Sequence, residues 1–255
     1  MPTLYIVKTG STFDHIAQSL GDFEQWIAEG LRPPELLPAE RLRLAVIHAP
    51  SCRYATLHYP EATDCAGVVI SGSHAMVTDH APWMQDLQSW LRPVCDAGVP
   101  VLGICFGHQI LAHLLGGEVG PHPAGLELGT IPVAVQADVS HDPLWRHMPG
   151  CFEAQAVHYQ SVRQLPPEAR VLAGNSHEAH HAFRWRHNVW GVQFHPEFSA
   201  AAMQAYIDHI PPTAWPRTGR GRPHCDDTPQ AAQLLQHFAR HVQQQAALRA
   251  HSLAH

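Results

Sequence analysis

The chain has 255 residues, 45% of them hydrophobic and 15% charged, with a formal net charge of −6. That length buries a sizeable core as one domain, or as one domain with an extension. No basic cluster is dense enough to track phosphates, which excludes nucleic acid as a partner, and no apolar run approaches the roughly 20 residues that cross a bilayer.

The N-terminus, Met1-Pro-Thr-Leu-Tyr-Ile-Val-Lys8, has neither the basic region nor the cleavage site of a signal peptide, and it predicts a strand over 4–7. A turn at Lys8–Thr12 follows, then helices over 14–20 and about 22–29. Pro33, Pro34 and Pro38 break the chain. Residues 43–48 and 67–70 predict two further strands, the second fully apolar and β-branched as in a sheet centre. A helix over about 83–97 closes at Gly98. Strands alternating with helices to residue 117 indicate βαβ units and a doubly wound parallel sheet, with functional residues at the carboxyl ends of its strands.

Residues 99–117 form the centre of this reading. Val101, Leu102 and Ile104 predict a buried strand; Ile110, Leu111, Leu114 and Leu115 predict a helix that stops at Gly116-Gly117. Cys105 sits where strand turns into helix, with Gly103 and Gly107 on either side. This is the cysteine counterpart of a nucleophile elbow. The helix N-terminus favours a thiolate, and free N–H groups, Phe106 first, can face a developing oxyanion. A buried structural cysteine is the alternative.

Beyond Gly117 the pattern predicts short antiparallel strands at 129–137, 152–157, 171–173, 182–185 and 189–194. The architecture is therefore α/β: an open, mostly parallel twisted sheet flanked by helices, with an antiparallel extension. Residues 211–223, with Arg217, Arg220 and Arg222 among glycines, predict a basic surface loop. Thr228 and Pro229 open a last helix whose stripe of Ala231, Leu234, Leu235, Phe238 and Val242 packs on the body, with fraying after Arg249. Residues 1–210 form one domain in this reading, and 211–255 a loop and helix packed on it.

Six cysteines (52, 65, 95, 105, 151 and 225) lack Cys-x-x-Cys spacing, which points to reduced thiols and a cytoplasmic protein. Histidine is abundant, with 22 copies. His177-Glu178-Ala179-His180-His181 matches the H-E-x-x-H zinc signature, but that motif needs a helix. Asn175 and Ser176 before it and Phe183-Arg-Trp-Arg186 after it predict a loop or strand, so no metal or cofactor is expected.

Gly103-Ile-Cys-Phe-Gly-His-Gln109 and Gly191-Val-Gln-Phe-His-Pro-Glu197 resemble the two signature motifs of the class I glutamine amidotransferases, and Ile70-Ser-Gly-Ser73 resembles their oxyanion strand. The resemblance covers about residues 4–200 and looks closest to stand-alone members similar to the amidotransferase domain of GMP synthetase. It implies the family's flavodoxin-like fold and a triad of Cys105 as nucleophile, His195 as base and Glu197 as the group that orients the imidazole. It also implies an oxyanion site at Gly72, Ser73 and Phe106, and a glutamine pocket at Gln109, His158 and Tyr159. The chain departs from the family pattern at Ser73 and Tyr159, where glycines are usual. No Gly-x-x-x-x-Gly-Lys-[ST] loop is present, so an ammonia acceptor is expected on a separate synthase chain. Two other readings stand beside this one: a γ-glutamyl peptidase or hydrolase using the same triad, and a non-catalytic module that binds glutamine or a partner.

Overall fold

The computed structural model describes residues 3–32, 42–51, 59–136, 138–216 and 221–252. The proline break at 33, 34 and 38, Cys52, Arg217, Arg220 and residues 253–255 lie outside them. The first half comprises β1 (Thr3–Lys8), α1 (Asp14–Leu20), α2 (Phe23–Gly30), β2 (Arg43–His48), β3 (Cys65–Ile70), α3 (Pro82–Asp96), β4 (Val101–Ile104) and α4 (Phe106–Leu114). The strands β5 (Glu118–Pro121), β6 (Glu127–Val135), β7 (Cys151–His158), β8 (Gln160–Gln164), β9 (Ala169–Gly174), β10 (Ala182–Trp185) and β11 (Val189–Val192) follow. Helices α5 (Ala200–His209) and α6 (Pro229–Ser252) end the chain.

The main sheet has the order β2-β1-β3-β4-β11-β10-β9-β6-β7. Its first five strands pair in parallel and the rest antiparallel. Every residue of β3 and β4 is buried, as expected for strands covered on both faces. The order at β2-β1-β3-β4 is the flavodoxin-like one, in which β1 marks the reversal where the strand ends open a crevice. The carboxyl ends of β1, β3, β4 and β11 therefore converge on one rim of the sheet.

Helix formation follows local chemistry. Asp22 accepts from Phe23 N at 2.8 Å while Gln25 Oε1 accepts from Asp22 N at 3.0 Å, a reciprocal cap that opens α2. Helix α6 buries Ala231, Leu234, Leu235, Phe238 and Val242 in the same cluster as Leu4, Ile6 and Leu102. A Cβ on Gly30 would lie 2.4 Å from Leu235 Cδ1, so α2 and α6 approach closely because position 30 carries no side chain.

Four elements differ from the sequence expectation. Residues 200–209 form α5, opened by Ser199 Oγ accepting from Ala202 N at 3.1 Å. Strands β5 and β8 make a separate antiparallel pair, and the second of them lies in a segment expected only to line a pocket. β11 stops at Val192, and the chain then leaves the sheet, with His195 N donating to Gln155 O at 2.8 Å. Among the described residues, no helix is long and apolar enough to cross a membrane.

Candidate active site

Cys105 occupies a backbone conformation of φ 50° and ψ −100°, uncommon for a residue with a side chain. Neighbouring bonds hold it there. Its N–H donates to Val192 O at 2.8 Å, and its carbonyl accepts the first helical bond of α4 from Gln109 N at 3.1 Å. The glycines on either side make the turn sterically possible. A Cβ on Gly103 would lie 2.3 Å from Gly107 O, and one on Gly107 would lie 2.4 Å from Ile70 O. Gly107→Ala is accordingly expected to lift α4 off β3, costing about 1–3 kcal/mol of stability. Thermal unfolding checks the first effect, and loss of activity in the variant that still folds checks the displaced elbow.

His195 is 2% exposed and stands opposite this elbow. Its Nδ1 is 2.8 Å from Glu197 Oε1, and Nε2 has no other hydrogen-bond partner and adjoins the Cys105 thiol. The ring packs on Phe198, with centroids 4.2 Å apart. Burial alone would lower its pKa, but the charges of Glu197 and Cys105 outweigh burial and raise it to about 10. The imidazole therefore rests protonated at neutral pH, poised to donate a proton. The structure thus brings Cys105, His195 and Glu197 together from the ends of two adjacent parallel strands.

The end of β3 closes the other side. A Cβ on Gly72 would meet His195 Cε1 at 3.0 Å, so a larger residue there would press on the imidazole. Thr9, at the end of β1, donates its N–H to Ser71 Oγ at 3.0 Å and its hydroxyl to Gly72 O at 2.9 Å. Ser73 Oγ donates to Thr9 O at 3.0 Å and accepts from Ala75 N at 3.1 Å. A Cβ at position 10 would lie 2.5 Å from that oxygen. The serine that replaces a glycine is thus turned onto the β1–α1 turn, where Gly10 leaves room for it.

A cavity of about 260 Å³ opens beside Cys105, lined among others by Phe13, Phe23, Ser73, Phe106, Gln109 and Tyr206. Gln109 Nε2 donates to Gln160 O at 2.8 Å and to Gln193 Oε1 at 2.9 Å, tying α4 to the wall carried by β8. His158 borders the cavity, but its ring is directed into the protein: Nδ1 lies 3.0 Å from Gln160 O and Nε2 2.9 Å from Glu127 Oε2. Tyr159, 44% exposed, stands at the rim, and its carbonyl accepts from His122 N at 2.8 Å. His74 also lines the cavity, with Nε2 3.1 Å from the Tyr206 hydroxyl; burial first, then His195 and His209, hold its pKa below the usual histidine value.

Sequence reasoning missed Thr9, Gly10, Phe198 and Tyr206. The Lys8-Thr-Gly10 turn at a strand's carboxyl end was a usable signal for the first two. Tyr206 had none, because it sits on the unexpected α5.

Residues 38–209 match the sequence model of the glutamine amidotransferase class-I family. The chain belongs to that family. Among relatives of this family member, the GMP synthase [glutamine-hydrolyzing] of Thermomicrobium roseum is 38% identical over 141 residues, 55% of this chain but 25% of the relative. The chain thus spans about a quarter of the length of that relative. A GMP synthase [glutamine-hydrolyzing] subunit of Ignicoccus hospitalis is 32% identical over 59% of this chain and 76% of its own. Gamma-glutamyl peptidase 4 of Arabidopsis thaliana is 30% identical over 63% and 66%. In fold, this chain is similar to a crystal structure of a glutamine amidotransferase from Methylobacillus flagellatus, with a TM-score of 0.68, 22% identity, and coverage of 96% of this chain and 94% of that one.

Proposed function

We propose that the chain hydrolyses the side-chain amide of glutamine through a γ-glutamyl thioester on Cys105 and releases ammonia to an acceptor on a separate chain. The observation that carries this reading is the placement of Cys105 on its elbow against the His195–Glu197 pair, 2.8 Å apart. The thiolate attacks the amide carbon, and the oxyanion is received by the N–H groups of Ser73 and Phe106. Phe106 is the first residue of α4, so its N–H precedes the helix's own bonding. The His195 imidazolium gives its proton to departing ammonia, then takes one from the water that hydrolyses the thioester. Gln109, with its nitrogen already bonded to protein, offers Oε1 to the substrate's α-ammonium. Residues 1–210 form the amidotransferase domain in this reading, with 211–255 as its appended loop and helix. The Ignicoccus relative is described as one subunit of its synthase, which supports an acceptor on another chain.

Hydrolysis of γ-glutamyl conjugates by the same triad is the second reading. The Arabidopsis peptidase relative and the exposed Tyr159 at the cavity rim favour it. Glutamine stands ahead because a cavity of about 260 Å³ suits a single free amino acid. The two are separated by ammonia release from glutamine against cleavage of γ-glutamyl dipeptides, measured on one preparation. Glutamine turnover with dipeptides untouched supports the first reading, and the reverse overturns it. Tyr159→Gly should shift the ratio of kcat/KM for the two substrates by at least about tenfold, roughly 1.4 kcal/mol of differential transition-state binding. An unchanged ratio places specificity elsewhere.

A further inference from the structure

Behind the cavity wall, three side chains from distant parts of the chain meet in the interior. They are Glu127 at the start of β6, His158 at the end of β7, and His181 just before β10. One nitrogen or oxygen of each lies within 4.8 Å of the others, and no other His, Cys, Asp or Glu group of this kind occurs among the described residues. Glu127 Oε2 lies between the two rings, 2.9 Å from His158 Nε2 and 3.1 Å from His181 Nε2. We propose that Glu127, His158 and His181 bind a divalent transition-metal ion of the zinc class.

The hydrogen-bond geometry of the cluster supports an ion. His158 Nδ1 faces the carbonyl of Gln160 at 3.0 Å, and a carbonyl only accepts, so Nδ1 carries the proton. Nε2 then faces a carboxylate oxygen 2.9 Å away, a gap that a proton or a metal cation must bridge. His181 has no exposed surface; its Nε2 faces Glu127 Oε2 at 3.1 Å and its Nδ1 makes no hydrogen bond. Leaving such a group unsatisfied in the interior is costly. One dication at the centre takes a lone pair from each of the three donors.

The geometry requires little change. Metal–ligand bonds of about 2.0–2.1 Å at tetrahedral angles separate neighbouring donors by about 3.3 Å; here the two Glu127–histidine spacings are 2.9 and 3.1 Å, and the two ring nitrogens lie within 4.8 Å of each other. Two imidazoles and one carboxylate form a donor set that zinc favours, with a fourth position for water. The outer contacts are those of a metal site as well. Gln160 O orients His158, and Asn175 Nδ2 donates to Glu127 Oε1 at 2.8 Å. His181 belongs to the His177–His181 stretch, but its companions in the cluster come from β6 and β7, so the H-E-x-x-H spacing plays no part. The same Gln160 carbonyl receives Gln109 Nε2 at 2.8 Å, so an ion here braces the cavity wall that carries Tyr159.

The test uses the purified full chain. After loading with zinc and gel filtration, metal analysis should find close to one zinc per chain, and cobalt in its place should give the strong visible absorption of a four-coordinate site. Zinc should raise Tm and a chelator lower it. Glu127→Gln, nearly isosteric, and His181→Gln should each lose the ion, while His113→Gln, outside the cluster, should keep it. The proposal is overturned if the wild-type chain retains no zinc or cobalt, which would leave the cluster a buried ion pair. It is also overturned if folded Glu127→Gln and His181→Gln retain as much as wild type. Should both variants misfold, zinc titration of the wild-type chain followed by histidine-ring NMR decides. The His158 and His181 rings must respond at the first equivalent; first response at any other histidines refutes the site.

Discussion

Replacing Cys105 by alanine is expected to abolish ammonia release from glutamine, with kcat falling by up to about a millionfold, to the residual that positioning and oxyanion donors supply in comparable nucleophile–base units. The expectation rests on the elbow. Among the described cysteines, only at Cys105 does a positive φ hold a sulfur against a protonated imidazole and ahead of the free N–H groups of α4. The other described thiols are poorly placed. Burial pushes Cys65 up to about 11 and Cys95 up to about 12, and Cys225 is raised as well, first by burial and then by Asp226 and Asp227. Cys151 is exposed and lies away from the cavity lining. A glutamine-like electrophile should therefore label Cys105 in step with inactivation, and excess glutamine should protect it. Labelling confined to another cysteine while activity falls would move the nucleophile.

His195→Ala should be nearly as damaging, because in the proposed mechanism the imidazole serves both half-reactions: it donates to ammonia and then accepts from water. Glu197→Gln should be milder, by about 10²-fold, since an amide oxygen can still face Nδ1 while its charge is gone. The double variant should resemble His195→Ala alone, because the two residues act as one unit. The pH profile separates charge from geometry. With His195 raised to about 10, wild-type kcat/KM should hold until the imidazolium deprotonates near that pH, and Glu197→Gln should move this alkaline limb down. Stability follows the same sign. His195 starts from 6.5 unfolded and is raised in the fold, so its contribution is full below about pH 6.5 and is lost as pH climbs through about 10. His195→Ala should lack that loss. An alkaline limb unmoved by Glu197→Gln would show that the carboxylate does not charge-stabilise the imidazole.

The elbow was legible because it is local. Two glycines bracket a cysteine, a period-3.6 pattern follows an apolar run, and each signal reports on a few residues of backbone. The His195–Glu197 pair was legible only through the resemblance carried by Gly191-Val-Gln-Phe-His-Pro-Glu197, since a histidine and a glutamate two residues apart at a strand end carry no local signal of their own. Helix α5 was not, since its run of alanines carries little apolar contrast from face to face. β5 and β8 are short and pair only with each other, so neither shows the apolar continuity of a central strand. Ser73 could not be interpreted without Gly10, 63 residues away, which makes room for its hydroxyl. The grouping of Glu127, His158 and His181 depends on sheet order alone, and no spacing in the sequence announces it.

The central claim, a γ-glutamyl thioester on Cys105, is tested most directly by mixing the wild-type chain with glutamine, quenching in acid within the first turnover and measuring the intact mass. The expected result is a species heavier by one γ-glutamyl group, mapped by peptide analysis to Cys105, discharged by hydroxylamine and absent from Cys105→Ala. Ammonia release without any such adduct, or with the adduct on another residue, would contradict the account.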